Sequence, residues 1–113
     1  MNTELLIALG AGIGAPVRYL VDQQVKKLHQ SLIPIETLGI NTVGSFILGM
    51  TVHYNHDVKF MIGTGFAGSF TTWSTFAVEA HHLIKKNHKG KAYLYLALTL
   101  VLGIGAAAIG NYL

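Results

Sequence analysis

Five hydroxyl side chains, Ser69, Thr71, Thr72, Ser74 and Thr75, fall within residues 65–76, whose other members are Gly, Ala, Phe and Trp. An unmet hydroxyl or backbone group in hydrocarbon costs several kcal/mol. Such a segment needs a partner helix, a bound ion or a file of water, so its middle reads as a pore or a binding site. Gly65 and Gly68 weaken a helix here, and the hydroxyls compete for its backbone bonds. An interrupted helix near the membrane midplane is one outcome, exposing carbonyls for a cation and N–H groups for an anion. A kinked helix packed through its glycines is the other. Asn41, followed by Thr42 and Ser45, offers two donors that an anion in a narrow pore could exchange for water, or that a neighbouring helix could use. Trp73 and Phe76 share a helix face, where their rings either pack or turn positive edges toward a small anion. Glu79 lies one turn beyond. Tyr95 and Thr99 are four apart, so their hydroxyls could line one track. Arg18 precedes Asp22 by one turn, as an ion pair, a snorkelling side chain or an electropositive mouth that concentrates anions.

These residues need a membrane to matter. Of 113 residues, 51% are apolar and 12% charged, where a soluble domain carries about 25% charge. The spacing predicts a single transmembrane domain, 1–113, with four spans at about 3–24, 35–54, 59–84 and 92–112. The connections are short and polar or basic. Pro34 suits the start of the second span, where a missing N–H costs nothing. Gly10 with Gly14, Gly39 with Gly44 and Gly49, and Gly103 with Ala107 provide small faces for close helix packing. The first apolar run has no basic head or small-residue cleavage site and contains Arg18 and Asp22, so it reads as a mature helix.

Lys26, Lys27, Lys85, Lys86, Lys89 and Lys91 occupy the two loops on one side, against Lys59 alone on the other. The positive-inside rule puts those loops in the cytoplasm and both termini outside. The net charge of +3 needs no nucleic acid to explain it. With no Cys, disulfide and thiolate chemistry are excluded, and the six His have no convincing metal spacing. No phosphate loop, paired carboxylates or nucleophile triad is present, which argues against an enzyme. Four short helices enclose little volume, so an oligomer with polar faces at its seam is expected.

The chain resembles the small bacterial fluoride channels of the Fluc, or CrcB, family in three blocks. These are residues 10–19, ending in Arg18-Tyr19; residues 39–46, Gly-Ile-Asn-Thr-Val-Gly-Ser-Phe; and residues 65–79, with Thr71-Thr72-Trp73-Ser74-Thr75-Phe76. Tyr95 and Thr99 extend the likeness into span four. The resemblance implies an all-α membrane protein of four transmembrane helices, the third interrupted, forming an antiparallel dimer in the bacterial inner membrane. Its function would be passive, selective fluoride export. Asn41 would donate to fluoride, Trp73 and Phe76 would make aromatic contacts, and Thr72, Ser74, Thr75, Tyr95 and Thr99 would continue the path. Arg18 and Glu79 would shape the vestibule. The carbonyls of Gly68 and Thr71 would hold a structural sodium ion with those of the partner.

The family usually has Phe in place of Trp73 and Gly in place of Ser69, and some members carry a hydroxyl in place of Gly103. The lysine asymmetry also opposes insertion of one sequence in both orientations. An antiparallel heterodimer with a paralogous subunit of opposite topology is therefore expected. A noncatalytic stabilising subunit and a small four-helix cation transporter are the competing readings.

Overall fold

The computed structural model describes residues 2–28, 33–71 and 73–113, without the side chains of Trp73 and Ser74. All regular structure among them is helical. Helix α1 (Thr3–Leu28) begins where Asn2 Oδ1 accepts from the Leu5 N–H at 2.8 Å. Glu4 in its first turn and Lys26 and Lys27 in its last match the helix dipole, and the helix continues past the expected span into the basic loop. Pro16 lies within it and cannot donate to the carbonyl one turn back. Helix α2 (Ile35–Thr51) follows Pro34.

The next segment is a succession of pieces. Asn55 caps the single turn α3 (His56–Val58), accepting from the Val58 N–H at 3.0 Å. A wide helical stretch, π1 (Lys59–Ala67), and another short turn, α4 (Gly68–Phe70), follow. Thr71 is extended, with φ −75° and ψ 157°. Helix α5 (Trp73–Lys85) then runs to a sharp reversal centred on Asn87, whose φ is 65°. There the His88 N–H donates to Leu83 O at 2.8 Å and the Asn87 N–H to Ile84 O at 3.1 Å. That bonding satisfies the last carbonyls of α5 and uses the left-handed conformation Asn tolerates. Helix α6 (Lys89–Tyr112) completes the chain.

Two close pairs organise the bundle, α1 with π1 and α2 with α6. In the first, Gly10 faces the Met61 and Phe66 backbones, and Gly65 faces the Ile7 carbonyl. In the second, Gly49 faces the Ala107 backbone and Gly110 the Phe46 backbone. Helices α2 and α6 run side by side in a constant register: Thr37 lies beside Tyr95, Ser45 opposite Gly103, and Gly49 opposite Ala107. A small core of Ala80, Leu83, Ala92 and Tyr95, with Ile33, Leu38 and Phe76 against it, closes the α5–α6 end.

Large apolar side chains cover the outside. Ile13, Val101 and Ile104 are each more than 60% exposed, a distribution suited to lipid. Helices α1 and α6 are each long and apolar enough to cross a membrane. The 17 residues of α2 extend only about 25 Å.

The glycine contacts predict a contrast. Gly49→Ala, whose methyl would overlap the Ala107 backbone, should cost about 1–3 kcal/mol. Gly105→Ala, whose methyl would meet open space, should hold or raise stability. Thermal unfolding of the detergent-solubilised variants checks both.

Candidate functional site: a cavity leading to a polar seam

Asp22 is four residues from Arg18 on one side and from Lys26 on the other. Its carboxylate pairs with Lys26, at 3.1 Å. An acid N-terminal to its base is the better orientation at this spacing. Arg18 instead reaches across to the extended residue, where Nη1 donates to Thr71 O at 3.4 Å. The guanidinium has no carboxylate partner among the described residues. It lines a cavity of 180 Å³ together with Tyr19, Asp22, Thr37, Ile40 and Thr75.

Behind this cavity the polar groups interlock. Tyr95, wholly buried, donates its hydroxyl to Glu79 Oε1 at 3.2 Å, and Thr37, also buried, lies beside both. Phe76 meets the Tyr95 ring edge-on, with centroids 5.0 Å apart and planes at 63°. Thr99 is buried one turn farther along α6 and donates to Tyr95 O at 2.8 Å. Asn41, also buried, lies one turn beyond Thr37 on α2, and the register sets it level with Thr99. Beyond them is an open groove of 220 Å³ between α2 and α6, lined by Ser45, Thr99, Leu100, Gly103, Ile104 and Ala107.

The structure thus brings Phe76, Glu79, Tyr95 and Thr99 together, with Asn41 beside them and Arg18 and Thr75 at the cavity. Thr72 lies outside the described residues, as do the side chains of Trp73 and Ser74. Gly68 and Thr71 adjoin the extended backbone, and Thr71 Oγ1 donates to Gly68 O at 3.3 Å. Sequence reasoning missed Thr37. Its signal was the spacing of Thr37, Asn41 and Ser45, each four residues from the next and so on one helix face. Thr42 leaves that face and donates to Leu38 O at 2.7 Å.

A family model described as CrcB-like protein, Camphor Resistance (CrcB), matches residues 5–111. The chain is 41% identical over 110 residues to a protein named Fluoride-specific ion channel FluC 1 from Ligilactobacillus salivarius, covering 95% of each. It is 38% identical over 119 residues to Fluoride-specific ion channel FluC of Shewanella woodyi, covering 100% of this chain and 96% of that one. It is 36% identical over 115 residues to Fluoride-specific ion channel FluC 2 of Bacillus cereus, covering 100% and 98%.

The interlocked cluster should be structural as well as functional. Tyr95→Phe removes a buried hydroxyl that donates to Glu79 and should cost about 1–3 kcal/mol. Chemical unfolding in mild detergent measures the loss.

Proposed function

This chain belongs to the CrcB family, and we propose that it is a subunit of a passive, fluoride-selective channel that exports fluoride from the cytoplasm. One observation carries this reading: a cavity lined by Arg18 and Thr37 adjoins a cluster of buried polar residues, Asn41, Tyr95 and Thr99, inside a bundle whose outer surface is apolar. The family is one of ion channels rather than enzymes, and the protein belongs in a membrane. The lysine-rich loops support both termini lying outside the bacterial inner membrane.

The field of Arg18 concentrates anions at the cytoplasmic mouth. Fluoride then exchanges its water for fixed donors, with Asn41 supplying N–H groups and Thr72, Ser74, Thr75, Tyr95 and Thr99 supplying hydroxyls along the path. The edges of Phe76 and Trp73 bear partial positive charge and flank it. Glu79 orders the Tyr95 hydroxyl at the vestibule wall. Tyr95 and Thr99 present their hydroxyls to fluoride only after local rearrangement, since both are buried and bonded within the subunit.

The extended Thr71 backbone supports an interruption of the third span near the midplane. The carbonyls of Gly68 and Thr71 would hold a structural sodium ion there, with those of an antiparallel partner. The donors fit a hard cation: Thr71 O lies outside the regular helix, and a Cβ added at Gly68 would meet nothing within 4 Å. Arg18 takes one acceptor direction of Thr71 O and leaves a second lone pair. A bound sodium would offset the fields of flanking anions and brace the interruption.

The partner is most simply a paralogue of opposite topology. Six loop lysines on one side disfavour insertion of this sequence both ways, and relatives carry the numbered names FluC 1 and FluC 2.

The test is fluoride efflux from liposomes containing this chain alone or together with a neighbouring paralogue. Flux should require the pair, and robust flux through a purified homodimer refutes that requirement. In the conducting assembly, Asn41→Ala and Phe76→Ala in this chain should each lower flux by about tenfold, the scale of one contact to an ion. Unchanged flux in both identifies an accessory subunit.

A further inference from the structure

Hydroxyls in a membrane helix usually turn back onto the carbonyl three or four residues earlier. Here Thr42, Thr51, Ser69, Thr71 and Thr99 all do so, with donor–acceptor distances from 2.7 to 3.3 Å. Ser45 does not. It has no hydrogen-bond partner among the described residues, and its side chain is neither sealed in the core nor fully exposed. It lines the groove between α2 and α6, and its Oγ would lie 3.6 Å from a Cβ added at Gly103. The polar stripe of α2 therefore continues through Thr37, Asn41 and Ser45, while the facing stripe of α6 passes through Tyr95 and Thr99 and then loses its hydroxyl at Gly103.

We propose that Ser45, facing Gly103 across the α2–α6 groove, forms a fluoride-contacting subsite that carries the path outward from Asn41 and Thr99. This proposal rests on the channel reading above and adds a subsite to it. Thr99 has already given its proton to Tyr95 O, so it must break that bond before it can donate to an anion. Ser45 pays no such cost: its hydroxyl is free to rotate toward the groove. The absence of a side chain at Gly103 leaves room beside it for the ion. The groove is otherwise apolar, lined by Leu100, Ile104 and Ala107. A small anion crossing it would shed water with few replacements, so a single free donor there has a disproportionate effect.

Fluoride efflux is measured from liposomes containing the full chain in the assembly that conducts, as wild type, Ser45→Ala, and the double variant Ser45→Ala with Gly103→Ser. Ser45→Ala should slow efflux by about tenfold. Gly103→Ser restores a hydroxyl from the opposite helix, at a position with ordinary van der Waals room, and should recover most of the lost flux. Wild-type flux in Ser45→Ala overturns the proposal. So does a loss that Gly103→Ser leaves uncorrected, because the hydroxyl across the groove replaces a donor but does not repair a disturbed helix. If the wild-type assembly moves no fluoride, the channel reading itself falls, and a conducting wild type keeps that failure distinct from failure of the Ser45 subsite.

Discussion

A hydroxyl or amide carried into an apolar bundle must find a partner, because lipid offers none. That constraint sorts the polar residues of this chain. Some satisfy themselves locally, as Thr42 does on Leu38 and Thr51 on Leu48. Others satisfy one another across helices, as Tyr95 and Glu79 do, beside Thr37, at the cavity end of the α2–α6 pair. Local back-bonding lets a helix face lipid, whereas bonding across helices fixes their register. The constant offset between α2 and α6 therefore has two sources, the polar cluster at one end and the contact of Gly49 with the Ala107 backbone farther along. Anything conducted along this pair passes a wall held at both ends.

Arg18 joins the two halves of the bundle. It belongs to α1, whose close partner is π1, yet it reaches Thr71 and lines the cavity in front of α2. The bond to Thr71 O ties the extended backbone to the mouth within one subunit, and any rearrangement of either is felt by the other. A long side chain suits this role because its stem crosses apolar surface while its head finds an acceptor. The tight α1–π1 packing sets the distance that it must span. Gly10, Gly14 and Gly65 bring those backbones together, and the wide turns of π1 accommodate the approach.

Much of this was legible in the sequence. The four apolar stretches, the basic loops and the competition between Thr71 and its helix followed from composition and spacing. The pairing of Asp22 did not, because it has bases four residues away on both sides. The preferred acid-to-base order and the pull of Thr71 O on Arg18 decide it. The π1 stretch left no signal in composition or spacing. Thr37 was hidden for another reason. Asn41 was read with Thr42 and Ser45, but the face it shares with Ser45 also runs one turn back to Thr37, and Thr42 leaves that face. Spacing could suggest that Tyr95 and Thr99 share a track, but not that each is already hydrogen-bonded within the subunit.

The carboxylates near the cavity pose an electrostatic problem for an anion path, and the structure handles each differently. Asp22 lines the cavity itself, but Lys26 neutralises it from the same helix. Glu79 lies deeper, where Tyr95 directs its hydroxyl hydrogen at it and Thr37 lies beside both. That donor stabilises the carboxylate without cancelling its charge. Arg18 has no carboxylate partner among the described residues, so its charge stays unpaired in the cavity lining. The same logic explains why Arg18 can sit in an apolar bundle. A carbonyl, unlike a carboxylate, satisfies a guanidinium N–H without cancelling its charge, so bonding to Thr71 O stabilises the side chain while preserving its attraction for an anion.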